Sequence, residues 1–309
     1  MIPLATNTKF AILLPNTNKA LAEALKQVSH EQLVQLKEGK DLKSVLQSLF
    51  QAKIENTKSD GVLLDLLKNS ATFKNMGSFT ENLKSLLSTL KAEQPSLAPK
   101  LSQLEGYLQH ISTLDTPNLK EKISNSGVFL ESKMLATLEV EESLAHDVKA
   151  QLLTLGEEIK ESHPNSQSKI DQLLTQIDYH QLLSYLNNSN SLYFPFAWDQ
   201  MEKGSLSLKK GKKDKFYCEI NLTLKEYGEM DLMMGLYSEN QLDIQIQTQQ
   251  ENFKTLLQDN VENLRNLLIN AGLSPRRIRI YAKSETHNPK MSAYTQEESD
   301  IHTLFEERV

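Results

Sequence analysis

Phe216-Tyr217-Cys218-Glu219-Ile220-Asn221-Leu222-Thr223-Leu224 is the stretch that decides the fold. Phe216, Cys218, Ile220, Leu222 and Leu224 fall on one side of an extended chain, and Tyr217, Glu219, Asn221 and Thr223 on the other. That period of two marks a half-buried strand. Working outward, Leu206 and Leu208 begin the alternation. Met230, Leu232, Met234 and Leu236 continue it after the Tyr227-Gly228 turn, and Leu242, Ile244 and Ile246 follow Ser238-Glu239-Asn240. Short turns between these runs predict an antiparallel meander. Thr248 and Glu251 stand at capping-box spacing before one long helix, with a predicted buried stripe of Phe253, Leu256, Leu257, Val261, Leu264, Leu267 and Leu268. Gly272 and Pro275 end that helix, and Ile278 and Ile280, alternating with Arg277, Arg279 and Tyr281, give a final strand.

Upstream the period is helical. Leu21, Leu25 and Val28, then Leu42, Val45, Leu46 and Leu49, then Leu83, Leu86, Leu87 and Leu90, then Leu101, Leu104, Leu108 and Ile111 predict separate amphipathic helices of about ten to fifteen residues. The breaks fall at Gly39, Ser59-Asp60-Gly61, Met76-Gly77-Ser78, Pro95 to Pro99, Thr116-Pro117 and Ser162 to Asn165. The chain therefore reads as a multi-domain α+β protein. Residues 1–120 form an N-terminal helical region, 121–190 a second helical segment, 191–283 a small α+β domain and 284–309 a polar flexible tail. The aromatic run from Leu192 to Trp198 is expected to seal the C-terminal domain's core, with an exposed partner site as the alternative reading.

Composition narrows function. The 309 residues carry a formal charge of -6, against the basic balance of a nucleic-acid coat, and one cysteine, which excludes an internal disulfide. No apolar run approaches the ~20 residues needed to cross a bilayer, so membrane insertion is not expected. The seven histidines are scattered, and no phosphate-binding glycine loop or nucleophile elbow occurs. Neither a metal nor a cofactor is expected, and an enzyme is disfavoured. His146 and Asp147 read as two surface residues, and Cys218 as a small core residue. One feature stands out for charge: Lys203, Lys209, Lys210, Lys212, Lys213 and Lys215 gather around the Gly211 turn. They read either as edge-protecting lysines or as a docking point for an anionic protein surface. Nucleic acid is disfavoured there, since no aromatic platform is interleaved with the lysines.

From Tyr193 to Tyr281 the order of motifs resembles the C-terminal domain of flagellar hook-length control proteins. The motifs are Leu206-Ser207-Leu208, Leu222-Thr223-Leu224, Tyr227-Gly228, Met230-Asp231-Leu232, Ala271-Gly272-Leu273 and Ile278-Arg279-Ile280. Ser126-Gly127-Val128-Phe129-Leu130-Glu131-Ser132-Lys133 is similar to a segment that precedes this domain in many members. One departure is plain: the family often has P-x-x-L-G where this chain has Leu224-Lys225-Glu226-Tyr227-Gly228. The resemblance implies a cytoplasmic protein exported through the flagellar type III channel, which ends hook assembly and switches export from hook to filament subunits. Its implied partner is the export-gate switch protein, with hook or hook-cap subunits as further candidates. By position, Leu224, Tyr227 and Gly228 carry over as candidate contact residues. A ruler role is a further expectation, since 190 residues span on the order of 600 Å extended and about 285 Å as helix. The competing class is a non-exported scaffold carrying an α+β interaction domain.

Overall fold

The computed structural model describes residues 19–20, 23, 64–130, 132–133, 145–160, 162–187, 189–211, 215–238 and 240–283. The helices expected around Leu21 to Val28 and Leu42 to Leu49, the tail after Lys283, and Lys212 and Lys213 lie outside the described residues, apart from isolated positions. Compactness divides the chain into two units, Met1–Ser205 and Leu206–Val309.

In the first unit the leucine periodicity becomes α1 (Ala71–Lys74), α2 (Phe79–Glu93), α3 (Ala98–Glu105), α4 (Thr116–Ser124), α5 (Val148–Ile159) and α6 (Pro164–Leu186). Three of these starts are capped by side chains. Gly77 takes a positive φ of 73°, and Ser78 Oγ then accepts from Glu81 N to cap α2. Asp115 caps α4 through Asn118 N at 2.8 Å, and Asp147 caps α5 through Lys149 N at 3.0 Å. Leu83, Leu86, Leu87 and Leu90 are all buried. The expected stripe through Leu108 and Ile111 is instead cut: α3 stops at Glu105, and those residues fall in two single 3₁₀ turns, Gly106–Leu108 and Ile111–Thr113. α6 runs 23 residues, longer than expected. Its polar residues reach neighbours instead of breaking it: Gln176 Nε2 donates to Met76 O and Gly77 O, each at 3.0 Å.

The aromatic run belongs to this helical unit, which corrects its expected place. β1 (Asn190–Tyr193) puts Tyr193 on Phe79 of α2, with ring centroids 3.8 Å apart, and Tyr193 Oη donates to Ser126 O at 2.8 Å. Asp147 is likewise no surface residue. It is fully buried, and burial raises its carboxyl above the usual range, opposed by Lys133 at 3.1 Å.

The hydrogen-bonded strand order is β1-β2-β3-β4-β5-β6, with β2 at Met201–Lys210, β3 at Phe216–Leu224, β4 at Gly228–Tyr237, β5 at Gln241–Thr248 and β6 at Ser274–Ala282. The unit boundary falls inside β2. β3, β4 and β5 are antiparallel neighbours as expected, while β6 joins β5 in parallel. A parallel return needs a crossover, and α7 (Glu251–Asp259) with α8 (Val261–Asn270) provides it.

That crossover is two helices, not the single long one expected. Asn260 N donates to Leu257 O at 3.1 Å and its side chain to Leu256 O at 2.8 Å, which closes the first helix. Its own carbonyl accepts from Leu264 N and opens the second. The break narrows the buried stripe. Phe253 is buried and Leu257 and Leu268 pack on the sheet, but Leu256 and Leu267 are exposed. The capping box is also absent: Gln250 is the N-cap without a side-chain bond, and Thr248 Oγ1 donates to Gln250 O. The core of the second unit is Leu242, Ile244 and Ile246 of β5. Met230, Leu232, Met234 and Leu236 of β4, Ile278 and Ile280 of β6, and Leu273 pack around it.

Candidate protein-interaction surface

β3 carries a candidate group at each end. At its C-terminal end Leu224 pairs with Gly228 across the β3–β4 turn, and Gly228 takes a positive φ of 69°. Leu224 is buried, Tyr227 is half-buried, and Lys225 and Glu226 are exposed. The Tyr227 ring stacks on Phe253 of α7, with centroids 4.2 Å apart and an interplanar angle of 14°.

Two consecutive glutamines just before α7 fasten the turn. Gln249 Oε1 accepts from Glu229 N at 3.0 Å, Gln249 N donates to Glu229 O at 2.9 Å, and Gln250 Nε2 donates to Glu226 O at 3.2 Å. Beside them Lys283 Nζ lies 2.7 Å from Glu229 Oε2 and 2.8 Å from Asp231 Oδ2. Burial works against the charge on that amine, but the bonds to Asp231 and Glu229 outweigh it and raise its pKa above the ordinary lysine value. The sequence reading missed Gln249, Gln250 and Lys283. Their only signal was position: polar residues flanking a strand and a helix that converge on one turn.

At the N-terminal end of β3 the Gly211 turn closes with Gly211 N donating to Lys215 O at 2.8 Å. Lys210 Nζ lies 5.6 Å from the centre of the Phe216 ring, and Lys215 Nζ 5.7 Å from that of Tyr237. Lys209 is partly desolvated, which lowers its pKa. No ring is interleaved in the lysine run itself, but β3 and β4 bring Phe216 and Tyr237 beside it, and the Lys210 and Lys215 ammonium groups sit over them as cation–π partners. Phe216, expected on the buried side, is 46% exposed, while Tyr217 is buried and meets Tyr237 edge-on. A Cβ on Gly235 would fall 2.4 Å from Tyr237 Oη, so a glycine leaves room for that ring.

The two groups do not form one site. β3 is nine residues long, so at the usual rise its ends lie about 27 Å apart. Cys218, between them, is half-buried, and burial followed by the Glu219 charge pushes its thiol up to about 12, leaving it protonated and inert at neutral pH. No group of three or more metal-ligating side chains occurs among the described residues, and no helix there is long and apolar enough to cross a membrane.

Residues 205–289 match the family model described as Flagellar hook-length control protein FliK. The C-terminal unit thus resembles the hook-length control family. The matched span begins one residue before the second compact unit and contains both candidate groups. No curated protein and no solved structure matches the chain.

Proposed function

We propose that this chain is a flagellar hook-length control protein, exported through the type III channel, that ends hook growth and switches export to filament subunits. The reading rests on one observation: the family match covers residues 205–289, most of the second compact unit. In this reading the C-terminal unit acts by touching the export-gate switch protein and carries out no chemistry of its own.

The β3–β4 turn is the contact we assign to that step. Buried Leu224 and the left-handed Gly228 shape it, and Tyr227 with the exposed Lys225 and Glu226 presents it. Its fastening to Gln249, Gln250 and Phe253 supports the assignment, because a rigid turn loses little conformational freedom on docking. The lysine hairpin is a second docking point, for an anionic protein surface. The test is genetic. Loss of the gene product should give abnormally long hooks without filaments, and the wild-type protein should appear in the culture supernatant. Tyr227→Ala should be exported yet fail to restore filaments. Normal hooks in the deletion strain would remove the function, and a protein confined to the cell would favour the scaffold class.

A further inference from the structure

β6 ends the strand order, so only one of its sides is paired within the sheet. That side runs in register with β5 from Gln241↔Ser274 to Thr248↔Ala282. The flanking backbone bonds, Ser274 N to Asn240 O at 2.8 Å and Lys283 N to Thr248 O at 2.7 Å, go the same way. An open strand edge offers unpaired N–H and C=O groups to any extended chain unless something blunts it. Among the described residues, the backbone is interrupted only at the start of the strand, at Pro275 and at the register shift by which Leu242 faces Pro275 and Asp243 faces Arg277, while Arg276, Arg277 and Arg279 put charge along the edge that discourages apolar strands. Beyond it, Arg277 to Ala282 pair regularly, and α7 and α8 back the strand on one face.

The side chains specify what an added strand would look like. Ile278 and Ile280 join the apolar cluster under the helices, so Arg277, Arg279 and Tyr281 point to the opposite face. Arg276, the extra residue at the register shift, is exposed. Arg276 donates to Gln241 Oε1 at 3.3 Å and Arg279 to Tyr281 Oη at 3.5 Å. Both acceptors are neutral, and neither guanidinium has a carboxylate partner among the described residues. An incoming strand alternates its side chains in step with β6. Beside the arginine face its residues meet the guanidinium groups of Arg276 and Arg279, and on the other they meet the isoleucine face.

We propose that the open edge of β6 receives an extended segment of a partner protein in which acidic residues alternate with β-branched apolar ones, added as a further strand. This deepens the reading above and rests on it for the partner being a protein.

The test uses the full chain and fluorescein-labelled nine-residue peptides read by anisotropy at low salt. One peptide alternates Glu with Val. A second alternates Glu with Pro, keeping the charge but lacking backbone donors at alternate positions. A third alternates Lys with Val. The Glu-Val peptide should bind at least about tenfold more tightly than either control, and Arg276→Glu with Arg279→Glu should weaken it by about tenfold or more. Amide exchange in β5 should be unchanged in that variant. Equal binding of the Glu-Pro peptide would reduce the effect to charge and overturn the proposal, as would no binding of Glu-Val up to about 1 mM. The comparison of peptides on the wild-type chain stands even if the variant misfolds. Hook control is judged separately from hook length in the deletion strain. Normal hooks beside intact Glu-Val binding would remove the function and keep the edge, and failed binding beside long hooks would do the reverse.

Discussion

Gly228→Ala tests the reading of the β3–β4 turn most directly. The residue sits at φ 69°, where an L side chain costs about 1–2 kcal/mol. A Cβ there would also fall 2.3 Å from Gln249 Oε1, closer than any real contact. Gln249 must swing away, and the bond it accepts from Glu229 N goes with it, at about 0.5–1.5 kcal/mol. The sum is about 1.5–3.5 kcal/mol. Because the chain has two compact units, a single denaturation midpoint would mix them, so the suitable readout is amide exchange measured peptide by peptide. Protected amides in β4 and β5 should exchange about 10- to 400-fold faster, while those in α2 and α6 keep their wild-type rates. Combining the change with Gln249→Ala removes the collision, and the added cost of Gly228→Ala should then drop to the backbone part, about 1–2 kcal/mol. An acceleration below about fivefold, or an unchanged cost in the Gln249→Ala background, would refute the reasoning.

Three other perturbations address the helical unit. Gly127→Ala puts a Cβ 2.8 Å from Lys149 Cβ and 3.0 Å from Lys149 N at a φ of 84°. Since neither neighbour is the far end of a flexible side chain, protected amides in α5 and α6 should exchange faster, with the second unit's exchange unchanged. Lys149→Ala takes away the cation paired at 3.0 Å with Asp178, which is 1% exposed, and should cost the first unit about 3–5 kcal/mol, read as faster exchange of protected amides in α5 and α6. His180 is buried against Tyr179 and Tyr193, and burial lowers its pKa to about 3. A histidine depressed in the folded state stabilises it fully above the unfolded value near 6.5 and loses that contribution as pH falls toward 3. The slope is about 1.4 kcal/mol per pH unit, and it should disappear from the stability profile of His180→Gln.

The strands were legible because their information is local. Alternation places Leu222 and Leu224 inward and Arg277 and Arg279 outward without reference to any partner. What escaped depends on which segments meet. The parallel pairing of β6 is set by the crossover and not by the strand's own residues. The break at Asn260 was hidden because Leu256 and Leu267 continue the helical spacing, although both are exposed. At the candidate surface, Tyr227 and Gly228 announced a turn. Nothing in Gln249-Gln250 announced that those amides would fasten it from 20 residues away in sequence. The lysine hairpin was visible as charge, but its rings were not, because Phe216 and Tyr237 reach it only once β3 and β4 pair.

The helical unit bears on how export would work. Short helices held by a thin leucine seam would be easy to unfold for passage through a narrow channel. The structure adds polar clamps to that seam. Lys149 reaches Asp178 and Gln181, Gln181 Nε2 donates to Val128 O at 3.2 Å, and Lys133 reaches the buried Asp147. These bonds gather the Ser126-to-Lys133 segment, α5 and α6 into one buried network, so opening any of them exposes a charge that must regain water. Breaking one such pair costs several kcal/mol when its partner stays buried, but far less when both ends hydrate together. Unfolding of this unit should therefore be cooperative. If the chain is threaded as proposed, Lys149→Met with Asp178→Leu, which replaces the pair by apolar groups and keeps the unit folded, should slow its appearance in the supernatant. A change in export no greater than that of a surface substitution such as Lys160→Ala would break the link between this network and passage.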